Sequence, residues 1–246
     1  MMRLAVVFAV WCLVGASSGV ASITADLSRH LIAITTAFTG TDVLLFGTID
    51  QLGGDVVVTV NGPVGDEVVR KKNQIGPIWL NTEQQKFSDA PFFYAVASNR
   101  PIEEIAGPAV LRRHRIGVDN LRLRAEASDR PDEEIASFRE GLIRNKQQLE
   151  LYSDTPSIIE FVGPSLFRAD LYFPANVQPG SYQVEALHFV DGQAVGAQRS
   201  TLAISKIGVE AEIYDLAHDQ RALYGLVCII LAVAAGWTAS AVFQRP

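Results

Sequence analysis

A run of 22 uncharged residues, Ala222 to Phe243, constrains this chain more than any other feature. It stands between Arg221 and Arg245 and includes Leu226, Val227, Ile229, Ile230, Leu231 and Val233. As a helix rising about 1.5 Å per residue it covers roughly 33 Å, enough for a hydrocarbon layer of about 30 Å. A helix satisfies its own backbone donors and acceptors, which lipid cannot do, so the pattern predicts a transmembrane helix over 222–243. Whatever precedes it is then a domain held at a membrane.

The other end predicts which side. Met-Met-Arg3 runs into an apolar stretch over 4–16 and a small-residue tail, Gly19-Val20-Ala21, the pattern of a secretory signal peptide over 1–21 cleaved after Ala21. Signal and spanning helix together predict a single-pass inner-membrane protein with a large periplasmic domain and a cytoplasmic C-terminus. Arg245 on the inner side agrees with the positive-inside tendency. Both cysteines, Cys12 and Cys228, fall outside 22–221. The exported part can thus have no disulfide and must rest on its apolar core, which suits a bacterial periplasm. Losing Arg3 with the signal leaves 20 basic against 27 acidic residues. That balance argues against nucleic acid and against adhesion to an anionic membrane surface.

Between these ends the pattern is mainly β, and the expected fold is an immunoglobulin-like sandwich with a helical insertion. Residues 22–100 read as a β-sandwich module: runs at 31–38, 43–49, 56–60, 67–71, 77–80 and 92–97 alternate with turn clusters. Residues 101–150 read as a helical insertion. Its clearest element is an amphipathic helix from Pro131 to Leu149 with Ile135, Phe138, Leu142 and Ile143 on one face. Residues 151–206 return to β, either a second module or the completion of the sandwich. There Pro179-Gly-Ser-Tyr182 enters an alternating strand, and Asp191-Gly192 supplies a hairpin turn. A juxtamembrane helix is expected over 207–221.

Chemistry-bearing patterns are sparse. His30, His114, His188 and His218 have no metal-ligand spacing, Gly163-Pro-Ser-Leu166 lacks the second glycine of a nucleophile elbow, and no glycine-rich phosphate loop is present. No catalytic residue, cofactor or metal is expected, and an enzyme is not the favoured class. Arg112, Arg113, Arg115, Arg122 and Arg124 form a basic stretch that is either a partner-binding patch or a solvated face paired with Glu103, Glu104 and residues 132–134. Trp79, Phe92, Phe93 and Tyr94 are either an aromatic platform or core. Within the apolar helix, Gly225, Ala232, Gly236 and Ser240 share a stripe, three of them four residues apart, a spacing that lets helices approach closely.

Several stretches together resemble a known family. Asp26-Leu-Ser28, Phe38-Thr-Gly-Thr-Asp42, Leu45-Phe-Gly47, Asp55-Val-Val-Val58, Val69-Arg-Lys-Lys72, Ile78-Trp79, Ser98-x-Arg100-Pro101, Leu166-Phe-Arg168, Pro179-Gly180-x-Tyr182 and Tyr224-Gly225 are similar to the Alph_Pro_TM transmembrane proteins of alphaproteobacteria. The resemblance covers nearly the whole mature chain. It implies a membrane protein associated with permeases of the sulfite-exporter class and carries over no catalytic residue. The expected function is therefore a non-enzymatic accessory subunit whose partner is a permease or a second copy. A periplasmic module binding a small ligand or polysaccharide is the alternative, with a hydrolase of unrecognised type behind it.

Overall fold

The computed structural model describes residues 23–50, 53–128, 130–207 and 221–243, without the side chains of 75, 79, 222, 223 and 240–243. The expected signal peptide and nearly all of the expected juxtamembrane helix lie outside these residues.

The described chain is mainly β. Its strands are β1 (Ile23–Leu27), β2 (Leu31–Ile34), β3 (Gly40–Ile49), β4 (Asp55–Asn61), β5 (Val64–Ile75), β6 (Ile78–Pro91), β7 (Tyr94–Ser98), β8 (Arg124–Ala125), β9 (Ser157–Val162), β10 (Leu166–Pro174), β11 (Gly180–Val190) and β12 (Gln193–Lys206). Nine of them form one sheet in the order β1-β3-β10-β9-β7-β4-β11-β12-β2. Its two edge strands, β1 and β2, are separated by only Ser28, Arg29 and His30, so the sheet has to curl until its edges meet. They do meet: β1 packs beside β12, where the Ser200 hydroxyl lies 3.5 Å from the Ala25 carbonyl.

Alternation explains the core. In β3 the inward row is Val43, Leu45, Gly47 and Ile49, and in β10 it is Phe167, Ala169, Leu171 and Phe173, all facing the inside of the curl. Phe93 stacks on Phe173 at 5.1 Å between ring centroids and meets Tyr182 at 5.7 Å. Tyr182, fully buried, donates its hydroxyl to the Gln178 carbonyl (2.6 Å), and burial pushes its phenol up to about 12. The Asp191-Gly192 hairpin has the expected form, with Val190 opposite Gln193 and both turn residues at positive φ (49° and 77°), the type I′ signature. Strands from 151–206 interleave with those from the first hundred residues, β10 beside β3 and β11 beside β4.

One stretch departs from the sequence reading. Residues 67–71 and 77–80 were expected as short sandwich strands. They belong instead to a long two-stranded ribbon, β5–β6, which with β8 makes a separate three-stranded sheet. The polar run 81–89 concealed the second strand, because only alternate residues are covered: Gln85 and Phe87 are buried while Gln84 faces water. The ribbon packs on α3 (Asp132–Gln148), introduced after two shorter helices, α1 (Ile102–Ile105) and α2 (Pro108–His114). The predicted face of α3 is the buried one, through Phe138, Leu142 and Ile143, and its first turn carries Asp132, Glu133 and Glu134 at the positive end of the dipole.

A last helix, α4, runs from Arg221 to Phe243 over 23 residues. Its described apolar side chains, including Leu226, Ile229, Ile230, Leu231, Val233 and Trp237, are exposed. Over the described residues alone, no helix is long and apolar enough to cross a membrane.

Candidate functional site

Four chain segments converge at one end of the curled sheet: the start of β4, the end of β7, the end of β11 and the start of β12. Two clefts open there on either side of Arg100. The first, of about 490 Å3, is bordered by Ser98, Glu103, Asp119, Ser153 and Ile158. The second, of about 460 Å3, is bordered by Gly54, Asp55, Glu103, Glu104 and Asp191.

Arg100 is held between them by Asp55, whose Oδ1 accepts from Arg100 Nε at 2.8 Å. Asn99 locks the pair: its amide donates to Asp55 Oδ1 (2.9 Å) while its own oxygen accepts from the Val56 backbone N–H (2.9 Å). Burial alone would raise the Asp55 carboxyl, but the hydrogen bonds from Arg100 and Asn99 outweigh it and hold it below the usual carboxylate range. Just inside, His188 is fully buried in β11 with one ring nitrogen, Nε2, 3.1 Å from the Gly53 carbonyl; its Nδ1 has no partner among the described residues. Neither cleft is lined by a histidine, cysteine or lysine among the described residues. What this arrangement offers is a set of oriented acceptors around one fixed guanidinium, suited to holding hydroxyl or amine groups.

The residues singled out from sequence fall elsewhere. Arg112 and Arg113 lie in the last turn of α2, where the helix dipole favours cations, and Arg115 follows at φ 55° as its left-handed cap. All five arginines of the basic stretch are exposed, and among the described residues none forms an ion pair with Glu103, Glu104 or residues 132–134. Arg124 instead lies 3.6 Å from Asp89, while Glu134 is taken by Arg130. The aromatic platform does not form: Phe93 and Tyr94 are core, and Phe92 lies under the Lys146 ammonium at 5.3 Å. Trp79's side chain is outside the description. Gly225, Ala232, Gly236 and Ser240 all fall on α4, and open space surrounds Gly225 and Gly236 where a Cβ would stand. His114 meets Phe189 edge-on, His30 pairs with Asp26 at the surface, and His218 lies outside the described residues.

Sequence reasoning missed the Asp55–Asn99–Arg100 cluster, because its members are 44 and 45 positions apart and only the β4–β7 pairing unites them. One signal was available: Asp55 and Arg100 both stand in stretches that carry the family resemblance. The family model described as "Putative transmembrane protein (Alph_Pro_TM)" matches residues 22–245, and the chain belongs to that family. No curated protein matches the chain.

Proposed function

We propose that this member of the Alph_Pro_TM family is a single-pass inner-membrane protein. Its β domain stands in the periplasm and acts, without catalysis of its own, as an accessory subunit of a membrane partner. One observation carries the reading: Arg221–Phe243 is a continuous helix whose described apolar side chains, Leu226, Ile229, Ile230, Leu231, Val233 and Trp237 among them, are exposed. A helix apolar all round needs lipid or other helices as its surroundings. The stripe of small residues on it suits a second helix, from a permease or another copy. The signal-peptide pattern supports export of the domain.

The order β1-β3-β10-β9 joined to β7-β4-β11-β12-β2 follows the A-B-E-D and C′-C-F-G-A′ arrangement of an immunoglobulin-like sandwich, with the ribbon and the helices inserted on either side of β7. Tyr182 supports it, since its hydroxyl returns to Gln178 at the start of the strand corresponding to F, as in a tyrosine corner. Such folds serve adhesion and assembly as readily as enzymes, which fits an accessory role.

Alkaline carbonate extraction of cell envelopes tests the anchor. The full chain stays in the pellet, and protease added outside spheroplasts degrades the β domain. Release into the supernatant would overturn the anchor; protection in intact spheroplasts would overturn the periplasmic side.

The clefts at Arg100 favour a second reading, a module binding a hydroxyl-rich ligand such as an envelope polysaccharide. Calorimetric titration of envelope oligosaccharides into the full chain in detergent distinguishes it. Saturable binding weakened about tenfold by Glu103→Ala, the loss of roughly one charged hydrogen bond, supports that reading. Absence of heat with the wild-type chain removes it.

A further inference from the structure

The ribbon prolongs the β4–β7 ladder beyond the nine-stranded sheet. The β4–β7 ladder runs from Val57 opposite Ser98 to Asn61 opposite Tyr94. It passes through Gly62 N–H to the Phe93 carbonyl and Phe92 N–H to the Pro63 carbonyl, both 2.8 Å, and resumes at Val64 opposite Pro91. From there β5 and β6 stay paired to the turn at Ile75 opposite Ile78, with two register shifts that bend the ribbon on the way. The loop is Gly76-Pro77, with Gly76 at φ 63°. Twelve residues of β5, at about 3.3 Å each, carry the tip roughly 40 Å along the strand.

The ribbon leaves from a particular end. Gly180, at the start of β11, faces Ile204 near the end of β12, and the ring of Pro63 packs against Gly180. So the ribbon springs from the end at which β12 finishes and the chain departs toward α4, opposite the clefts at Arg100. Residues 207–220, at about 3.3–3.6 Å each when extended, reach as far as roughly 45–50 Å. The tip and the start of α4 can therefore lie at one level.

The composition of the tip is unlike the rest of the domain. Residues 68–82 contain Arg70, Lys71 and Lys72 and no acid, in a chain with an acidic excess. All three cations are exposed, and beyond them Ile78 and Leu80 are 53% and 44% exposed. Trp79 stands between these two in the sequence, opposite Gln74 in the ladder. Glu83, opposite Lys71 in the ladder and attracted by it, is shared with the Asn73 amide at 2.9 Å and with Arg130 at 3.4 Å. An apolar end with a tryptophan and a collar of cations is the composition that settles at a lipid headgroup layer. Net charge had argued against an anionic surface, but the average over the chain conceals this segregation.

We infer that the β5–β6 ribbon is a second foot of the protein: its tip rests in the headgroup layer of the same membrane that holds α4, with Arg70, Lys71 and Lys72 on anionic phosphates. The inference rests on the anchored reading. One foot fixed by α4 keeps the other at high local concentration, so a weak surface affinity suffices.

Full chain with Cys12→Ser and Cys228→Ser, reconstituted in nanodiscs containing phosphatidylglycerol, tests this. It carries an environment-sensitive fluorophore at one of three new cysteines: Pro77→Cys at the tip, Ala234→Cys in α4, or Gln193→Cys at the far end. Spin-labelled lipid quenches the label at 234 deeply and the label at 77 at headgroup depth, and leaves 193 unquenched. Lys71→Glu with Lys72→Glu weakens tip occupancy by roughly fivefold for each charge. Quenching at 234 with position 77 as wet as 193 overturns the ribbon inference alone. No quenching at 234 overturns the anchor, and the inference with it. A tip shielded in native membranes but wet in nanodiscs also overturns it, and assigns the ribbon to a protein partner.

Discussion

Gly47→Ala is expected to lower the melting temperature of the β domain by about 6–12 °C, and Gly47→Val to leave it unfolded. Gly47 occupies an inward position of β3, between Leu45 and Ile49, where every other residue contributes a side chain to the core. A Cβ there would stand 2.4 Å from the Thr24 carbonyl oxygen, 2.6 Å from the tip of the Phe167 ring and 2.9 Å from the Ala25 Cα. Two of the three obstacles are backbone of β1, which is tied to β3 by the ladder and cannot step aside. The third is a fully buried ring that fills the space the glycine leaves. Overpacking of this kind costs about 3 kcal/mol, and at roughly 2–4 °C per kcal/mol for a domain of this size the shift follows. A domain holding about 5–15 kcal/mol in all does not survive the further bulk of valine. Gly141→Ala provides the opposite sign. That glycine lies inside α3 with only the Val69 Cγ1 methyl within range, at 3.7 Å, an ordinary contact. Alanine there gains about 0.5–1 kcal/mol of helix propensity and should raise the midpoint. Thermal unfolding followed by circular dichroism reads both; equal midpoints for the two variants would mean that β1 and β3 are not packed as described.

The contrast between these glycines indicates what was legible in the sequence. Local devices were: the Asp191-Gly192 turn, the apolar face of α3 and the alternation of β11 as far as Ala186, beyond which both faces are buried around a bulge, all follow from spacing within one element. The mainly β character follows in the same way. Pairings between distant elements were not. Nothing in Leu45-Phe-Gly47 announces that Phe167 fills the gap, and nothing near Asp55 announces Arg100. The ribbon was misjudged for a related reason. Half of its second strand faces water, so Asn81–Asp89 reads as loop until β8 is known to pair with Phe87 and the Glu126 carbonyl to accept from Gln85. Charge was misjudged by averaging.

Glu67→Ala is expected to cost about 3 kcal/mol, although Glu67 is a surface-facing residue by sequence. Lys146 on α3 is almost fully buried, its side chain 8% exposed, and its ammonium meets one carboxylate, that of Glu67 on β5. The Phe92 ring face lies 5.3 Å from the same nitrogen and adds a weaker attraction. Removing the carboxylate strands a cation away from water, and breaking a buried pair from one side typically costs about 3–5 kcal/mol. The reverse change is milder. Lys146→Met leaves Glu67, whose side chain is 23% exposed, able to reach solvent, so a loss of about 1 kcal/mol is expected. The double variant Glu67→Leu with Lys146→Met removes both charges and keeps the volume, and it should fall near the wild type. Urea unfolding of these proteins, with the single Glu67→Leu variant added to close the cycle, yields the coupling. Because this pair ties the ribbon to α3, hydrogen exchange in β5 and β6 should accelerate in Glu67→Ala while β11 and β12 stay protected. A double variant as unstable as Glu67→Ala would mean that the lost attraction of the pair, not the stranded charge, sets the cost. Uniform acceleration across all strands would mean that the ribbon and the nine-stranded sheet unfold as one unit.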